Sequence, residues 1–544
     1  MAGGRRVRQA LLVAGVAVWG ATGCLPAGGP PAGERWVSGR ALGLLQFAPG
    51  ANEALLVTGP VTSPAPELYL VADPGPSVPS SAAPPLVESG KLLLSGFSRY
   101  GGAVCVANDC RLSQDSAGHL LAEQVSSAVE NGPTPRELFR LDPTAGTAQD
   151  LGPESSFTTS ASGDRVVVVN GPAGSSTVYE AGGRQTALPN VEYATFVGED
   201  LYGLEVDDPA QFQIATLENV PPNGAPQAIA YPVSGFQVVA ATGDPFIILS
   251  STDGAGNYST SLLDPATLTQ TSLPGSYQGS SSDGRWLQLW TPSAQTELFD
   301  RTTGTVRPID VPPYSWVAWR PRHDECWVAS ASASGSPVVD IFEAGGGEST
   351  AEVVAAPLQY TWVGNNNGGS SFTPDGRHWF SGLFDEANRS RVFVGPADDP
   401  TAPTFPVNPP GTGSGQYWLL ADGRLLVEAY VTEPARNDIY LVDPDDGQSR
   451  ALATGGFVVA IGPTRALALL DWIASAGTGD LALIDFATGA MTRLAENVAA
   501  AVLQKPYDPS DPSADALAPG AAVAFQVRDL LDSPYDGIWV ATLP

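Results

Sequence analysis

The chain has 544 residues and carries 27 Lys and Arg against 57 Asp and Glu, so its formal net charge is −30. A nucleic-acid role is excluded on this basis, because phosphate binding needs clustered cationic side chains. There are 60 Gly and 49 Pro, 15% of residues are charged and 43% are hydrophobic. Such a chain is poor in helix formers but can bury large cores, so its length indicates several domains or one repetitive array.

The N-terminus has the pattern of a secretory signal. Three arginines precede an apolar run at residues 10–19, and small residues then lead to Cys24. The run is shorter than the roughly 20 apolar residues that cross a bilayer as a helix. We therefore expect residues 1–23 to be a signal peptide that is removed after secretion through the Sec pathway.

The tetrapeptide "ATGC" that ends at Cys24 resembles the lipid-attachment box of bacterial lipoproteins. This resemblance implies that Cys24 carries a lipid and anchors the mature chain to a membrane; the alternative is an ordinary signal peptide cut nearby. Residues 24–34 are rich in Pro and Gly, which is typical of a spacer. Leu25 follows the sorting pattern of outer-membrane lipoproteins, so the expected location is the outer membrane, facing the periplasm.

Three further cysteines would lie in an oxidising compartment. Cys105 and Cys110 flank the turn-like tetrapeptide "VAND", so both a small hairpin disulfide and two free thiols remain open. Cys326 lies in the strand-like stretch "ECWVAS" and is expected to be a small buried apolar residue.

One two-part unit recurs along the chain. Its first part is an apolar residue, an Asp-Gly turn and an apolar strand, as in "FTPDGRHWF" from Phe372 and "LADGRLLVEAY" from Leu420. Glycine accepts the positive φ that tight hairpin turns need, so this pattern predicts a hairpin. The second part is a strand, an acidic turn and a strand, as in "IYLVDPDDGQSRAL" from Ile439. Each unit is therefore predicted to be four short antiparallel strands.

The units number about eleven and recur about every 47 residues, which matches a β-propeller blade. A four-stranded sheet with two apolar faces can cover both only between two like neighbours. The chain ends on "IWVATLP", a third strand without a fourth. We expect the N-terminal "RWVSGR" at residues 35–40 to supply the missing outer strand of the last blade.

The "PDG" hairpin followed by "IYLVD" and an acidic turn resembles the repeats of TolB-like propellers, which are related to WD-repeat proteins. The resemblance covers nearly all of the chain from Phe47 and implies an all-β propeller fold. Eleven blades exceed the usual ring of four to eight, which favours two propellers, with one group of blades at residues 35–280 and another at 281–544. The alternative is one seven- or eight-bladed propeller with insertions, of which residues 113–135 are an example.

Catalytic motifs are scarce. TolB-like propellers are often fused to serine peptidases, yet the sequence contains no G-x-S-x-G nucleophile elbow. The three histidines lie in different units, and we expect His378, which follows a hairpin turn, to be exposed. Asp300 and Asp485 begin D-x-x-T-G segments, which we interpret as structural turns. The acidic clusters lack the ligand spacing of a calcium loop. We therefore expect no catalytic residue, no metal ligand and no cofactor.

Aromatic and amide side chains suggest a binding face. Two segments near blade boundaries mix Trp, Asn and Gly, and such groups can stack on a sugar ring or on a partner's side chains. The candidate residues are Trp316, Trp319, Trp362, Asn365 and Asn366.

The function that these patterns favour is a non-enzymatic, lipid-anchored envelope propeller. Its loop faces would bind a protein or glycan partner, and its only membrane attachment would be the N-terminal lipid. The alternative is a secreted hydrolase or lyase with acidic residues at the central channel.

Overall fold

The structure is a computed structural model, and every regular element in its described part is a β-strand. Among the described residues there is no helix long and apolar enough to span a bilayer. The predicted signal peptide, Cys24 and the predicted spacer lie outside the described residues. The described residues are 35–38, 43–47, 55–59, 67–71, 90–94, 103–106, 109–125, 136–154, 156–170, 175–206, 214–241, 244–252, 258–311, 317–331, 337–343, 346–352, 361–363, 372–373, 375–384, 390–409, 412–413, 415–432, 435–504, 515–528 and 537–544.

The strands of the first half of the chain, in chain order, are β1 (Arg35–Ser38), β2 (Gly43–Phe47), β3 (Leu55–Gly59), β4 (Glu67–Val71), β5 (Gly90–Leu94), β6 (Ala103–Val106), β7 (Asp109–Leu112), β8 (Leu120–Val125), β9 (Arg136–Asp142), β10 (Thr147–Glu154), β11 (Ser156–Thr159), β12 (Arg165–Asn170), β13 (Ser175–Glu180), β14 (Gln185–Pro189), β15 (Val191–Val197), β16 (Asp200–Glu205), β17 (Ala215–Val220), β18 (Gln227–Val233), β19 (Gly235–Val239), β20 (Phe246–Thr252), β21 (Tyr258–Leu263) and β22 (Gln270–Leu273).

The strands of the second half are β23 (Ser276–Ser280), β24 (Trp286–Trp290), β25 (Thr296–Asp300), β26 (Val306–Ile309), β27 (Val317–Trp319), β28 (Glu325–Ala331), β29 (Pro337–Glu343), β30 (Glu348–Glu352), β31 (Thr361–Val363), β32 (His378–Phe384), β33 (Ser390–Pro396), β34 (Phe405–Pro406), β35 (Gln416–Leu419), β36 (Leu425–Thr432), β37 (Ala435–Val442), β38 (Ser449–Ala453), β39 (Phe457–Ile461), β40 (Arg465–Ile473), β41 (Thr478–Asp485), β42 (Met491–Leu503), β43 (Ala522–Val527) and β44 (Gly537–Thr542).

These strands form successive antiparallel sheets of consecutive strands, except that β1 joins β44 at the edge of the sheet β39–β44. Blade 1 is β2–β5. Blade 2 consists of the three-stranded sheet β8–β10 and the separate two-stranded sheet β6–β7, and blades 3 to 9 are the groups of four strands from β11–β14 to β35–β38. The long strand β42 belongs to two blades, because its first half pairs with β41 and its second half with β43. Blade 10 is therefore β39–β42, and blade 11 is β42, β43, β44 and β1. The predicted all-β propeller is confirmed.

Both parts of the repeat form the predicted turns. In blade 8, Gly376 has φ +72°, and a Cβ there would lie 2.4 Å from the carbonyl oxygen of Pro321. Only glycine fits such a position. In blade 10, Asp485 accepts a 2.7 Å hydrogen bond from the backbone N–H of Thr488, so the D-x-x-T-G segment is a turn held by its aspartate.

The N-terminal strand closes the last blade, as the sequence predicts. β1 pairs antiparallel with β44, and Arg35 lies opposite Val540 and Trp36 opposite Trp539. The first and last strands of the described chain are therefore hydrogen-bonded neighbours in one sheet.

Apolar runs bury both faces of each sheet. In β12, Val166 and Val168 pack toward blade 2, whereas Val167 packs toward blade 4. Side chains alternate between the two faces of a strand, so a strand buried on both faces shows a continuous apolar run rather than alternation.

The described core consists of eleven clusters of buried side chains, and ten of them lie between two blades that follow one another in the chain. The eleventh joins blade 11 to blade 1, where Val502 and Ile538 pack with Leu44 and Phe47. Two separate rings would need clusters that join the first and last blades of each ring, and the described residues contain none. The packing therefore traces one closed circuit.

Two further sequence expectations differ from this arrangement. The boundary between residues 280 and 281 falls in the turn that joins β23 and β24 of one sheet. Of the expected insertion at residues 113–135, the described part, 113–125, contains a blade strand, since β8 pairs with β9, and Leu120 and Ala122 are fully buried. This strand lacks the Asp-Gly turn of other units, so the repeat pattern hides it.

Candidate functional site

The blades present two chemically different ends. One end of each blade carries the turn between its first and second strands and the turn between its third and fourth strands. We call this end the Asp-Gly face. The other end, which we call the opposite face, carries the connection from the second to the third strand and the connection to the next blade. Turn chemistry places charged residues at the first face, because Asp and Gly stabilise tight turns there.

Arginines join neighbouring blades along the Asp-Gly face. Arg320 of blade 7 is buried; its Nε donates to the carbonyl oxygen of Gly376 at 2.7 Å, and Nη1 donates to Glu325 at 2.9 Å. Its Nη2 also contacts Asp398 of blade 8. Burial acts to lower the pKa of Arg320, but these carboxylates outweigh it and raise the pKa.

Blades 6 and 7 are joined in the same way. Arg285 contacts Asp300 at 3.1 Å within its own blade and Asp324 of blade 7 at 2.8 Å. Burial acts to raise the pKa of Asp300, yet hydrogen bonds from Thr302 and Arg285 outweigh it, and the pKa falls to about 2. These charges are already paired with one another, so they hold blades together.

A cavity of about 430 Å³ lies on the Asp-Gly face between blades 5 and 6. Its charged lining consists of Asp244, Asp264, Asp283, Arg285 and Arg301. Asp264 accepts hydrogen bonds within its own turn, and Arg301 lies over the ring of Phe246 at 4.2 Å. No group of three metal-ligating side chains is found in the described part of the chain. The charges of this cavity are used by the fold itself.

A second cavity of about 350 Å³ lies on the opposite face of the same two blades. It is formed at the starts of β19, β21 and β23 and near the end of β20. We call it the neutral groove, because none of its described lining residues is charged: Gly235, Phe236, Gln237, Ile248, Ser250, Tyr258, Ser259, Thr260, Ser276 and Tyr277.

Exposed aromatic side chains accompany the neutral groove. Tyr258 is 78% exposed at its rim, and Tyr193 of blade 4 is 49% exposed. Tyr193 packs edge-on against Phe236, with ring centroids 5.1 Å apart, so blade 4 continues the aromatic surface into the groove. Tyr231, at the end of the outer strand of blade 4, is 65% exposed. Aromatic rings with accessible faces are typical of recognition surfaces.

Two carboxyl groups, each beside a second glutamate, have raised pKa values. Burial is the main cause for Glu154, and repulsion by Glu123 and a hydrogen bond with it add to the shift, so the pKa rises to about 7. Arg136 contacts Glu123 at 3.3 Å. Burial and the neighbouring Glu205 likewise raise the pKa of Glu218. A carboxyl that titrates near neutral pH is the kind of group that general acid catalysis uses.

The histidines contact carboxylates of turns. His378 is buried, and its Nε2 lies 2.8 Å from Asp445 of blade 9, so the expectation of an exposed imidazole is wrong. The turn of blade 9 covers this residue, which no local pattern could reveal. His119 contacts Asp115 at 2.8 Å through Nδ1.

The candidate binding residues from the sequence are only partly described. Trp319 packs against the core cluster between blades 6 and 7. Trp362 lies in β31, and its side chain is outside the described part. Trp316, Asn365 and Asn366 also lie outside the described residues. The binding face proposed around these tryptophans stays a prediction.

Two of the cysteines are cross-strand partners, and a third lies in the core. Cys105 and Cys110 are directly opposite each other in the β6–β7 pair. Their side chains are not among those described, so the disulfide stays a prediction. Cys326 is fully buried, and burial raises the pKa of its thiol to about 12.

Sequence reasoning missed the neutral groove, although a signal exists. From Phe246 to Ser282 only Asp253 and Asp264 are charged, while Ser and Thr recur around Tyr258 and Tyr277. Such a charge-poor, hydroxyl-rich stretch stands out in a chain of net charge −30. The pattern could not reveal that two blades bring these residues together.

No protein-family model matches the chain, and no curated protein matches it. Solved structures with similar folds include the β-propeller domain of the Trilobed protease from Pyrococcus furiosus, with 13% identity, a TM-score of 0.30, and coverage of 56% of this chain and 97% of that one. Porphyromonas gingivalis dipeptidyl peptidase 4 has 11% identity and a TM-score of 0.32, with coverage of 92% and 66%. A Mycobacterium tuberculosis puromycin-hydrolyzing peptidase has 13% identity and a TM-score of 0.28, with coverage of 62% and 57%.

The chain thus spans less than two thirds of the length of these last two peptidases. At such identities and TM-scores the likeness concerns the propeller fold alone. It says nothing about a shared site or activity.

Proposed function

We propose that this protein is a non-enzymatic, TolB-like propeller lipoprotein of the bacterial envelope that binds a protein or glycan partner. The lipid-box resemblance at Cys24 and the Pro- and Gly-rich spacer support tethering to the outer membrane on the periplasmic side. The spacer would hold the propeller away from the membrane, and the net negative charge of the propeller would disfavour contact with anionic lipids.

One observation carries the binding role. The opposite face of blades 4 to 6 presents exposed aromatic rings beside a groove whose described lining is uncharged, whereas Arg285 of the Asp-Gly face is paired with Asp300 and Asp324 within the fold. A surface that keeps aromatic rings exposed in a large soluble domain is typical of a recognition site.

The tether and the binding role are tested separately. Mass spectrometry of the mature protein is expected to find an N-terminal Cys24 with its lipid; an unmodified N-terminus elsewhere would contradict the tether.

Purified protein is expected to bind an envelope component without converting it. Release of products from peptide or glycoside substrates at a rate that scales with protein concentration would contradict the non-enzymatic role.

The second candidate is a hydrolase, and the hydrogen-bonded pair Glu123 and Glu154 favours it. A carboxyl whose pKa is about 7, as for Glu154, suits general acid catalysis. Several proteins of similar fold named above are peptidases, but the likeness is too distant to argue for that activity. If the protein hydrolyses a substrate and Glu154→Gln abolishes turnover while Glu137→Gln does not, the hydrolase candidate replaces the binding role.

A further inference from the structure

The neutral groove has a chemistry that differs from the rest of the molecule. Its ten lining residues include no Asp, Glu, Lys or Arg, although the chain has 57 acidic residues. The cavity at the other end of the same two blades has three aspartates and two arginines among its ten lining residues. Among the described lining residues, the absence of charge therefore distinguishes this groove from the other end of the same blades.

Hydrogen-bonding groups of the groove are available to a ligand. The amide of Gln237 and the hydroxyls of Ser250 and Ser259 are exposed and form no hydrogen bond to another described residue. Amides and hydroxyls both donate and accept hydrogen bonds, which matches the hydroxyl groups of a sugar.

Aromatic side chains of the groove supply a surface on which a sugar ring can stack. Phe236, Tyr258 and Tyr277 line the groove, and Tyr193 extends the surface through its contact with Phe236. The apolar faces of sugar rings stack on such side chains. The cavity volume of about 350 Å³ lies within the range of small-molecule sites, roughly 300–1,000 Å³.

We propose that the neutral groove binds an uncharged saccharide chain, with Tyr258 as the stacking platform and Gln237, Ser250 and Ser259 as hydrogen-bonding partners. This inference rests on the proposed binding function and names its ligand class. A charged ligand would lose hydration in a groove that offers no counter-charge. An anionic ligand would also be repelled by the net negative charge of the protein.

The test is a calorimetric titration of the full mature protein with uncharged hexasaccharides of glucose, mannose and N-acetylglucosamine. Polygalacturonate and an uncharged Gly-Ser peptide serve as comparison ligands. At least one neutral hexasaccharide is expected to bind, and Tyr258→Ala is expected to weaken that binding at least tenfold. Gln237→Ala should weaken it less, because one neutral hydrogen bond contributes less than a stacked ring.

Tyr430→Ala is the matched control. Tyr430 is also exposed, at 43%, but it lies in blade 9, so its removal should leave saccharide affinity unchanged. Thermal unfolding of the Tyr258→Ala protein should match that of the wild type, since its ring is mostly exposed. Equal binding by wild type and Tyr258→Ala, stronger binding of polygalacturonate, or no saccharide binding at all would overturn the inference.

The outcomes separate this inference from the proposed function. If no saccharide binds but the Gly-Ser peptide or an isolated envelope protein does, and Tyr258→Ala removes that binding, the ligand class is wrong and the binding role stands. If a hexasaccharide binds and is cleaved during the titration, the ligand class is right and the non-enzymatic function is wrong.

Discussion

At the scale of single residues, the pair Glu123 and Glu154 makes stability depend on pH. The partly buried carboxyl of Glu154 lies beside Glu123, and its pKa in the folded protein is about 7. Its ordinary value is 4.5. Folding therefore favours the protonated form. The stability linked to this proton is fully present below pH 4.5 and is lost as the pH rises through 7.

Replacing Glu154 by Gln should remove this dependence. At pH 8 we expect the free energy of unfolding of Glu154→Gln to exceed that of the wild type by about 1 kcal/mol after allowance for partial exposure, so the variant should unfold at a higher urea concentration. At pH 4.5 the two proteins should differ little. The exposed Glu137 of the same strand pair offers the control Glu137→Gln. A constant difference between wild type and Glu154→Gln from pH 4.5 to 8 would contradict the assignment.

The thiols give a second prediction at this scale. Cys105 and Cys110 are direct cross-strand partners in the β6–β7 pair, and the Cα atoms of such partners are typically about 4.5–5.5 Å apart. That spacing permits a disulfide. We expect the denatured protein to show two more titratable thiols after reduction than before. No increase on reduction would show that the cysteines are free.

At the scale of elements, neighbouring blades are held by apolar clusters and by arginines that cross the boundary. The clusters follow from the sequence, because each apolar strand must bury two faces. The arginine contacts do not, because Arg320 and Asp398 are 78 residues apart and nothing local indicates their pairing. For the same reason the sequence could not show that the turn of Asp445 covers His378.

Arg320 is the best test of these contacts. Arg320→Met should lower the free energy of unfolding by about 1–2 kcal/mol, because it leaves the buried carbonyl oxygen of Gly376 on blade 8 and the partly buried carboxylate of Glu325 on blade 7 without their donor. Arg320→Lys should be intermediate. The exposed neighbour Arg322 supplies the control Arg322→Met. Equal denaturation midpoints for Arg320→Met and Arg322→Met would contradict a role in joining blades 7 and 8.

At the scale of the whole molecule, the repeat predicts the blade and its closing strand but not how many blades share one ring. Repeat counting indicates eleven units, and the usual size of propellers then favours two rings. The packing of Val502 and Ile538 against Leu44 and Phe47 closes the circuit after blade 11 instead. This contact joins residues more than 450 positions apart. A periodic sequence pattern predicts contacts only between units that are neighbours in the chain, so it cannot reveal such a contact.

The closing strand has its own test. A mature chain that starts at residue 41 lacks β1 and should lose about 2–4 kcal/mol of stability, since the edge of β44 is left unpaired. A chain that starts at Arg35 lacks only the spacer and should unfold like the full mature protein. If the two truncated chains unfold at the same denaturant concentration, β1 does not close the ring.

Electron cryomicroscopy of the mature protein, viewed along the axis of the propeller, tests the closed circuit most directly. We expect a single ring of eleven blades around one central channel, with blade 11 in contact with blade 1 and the N-terminal strand at the outer edge of blade 11. Two smaller rings side by side, or a gap between blades 11 and 1, would contradict it.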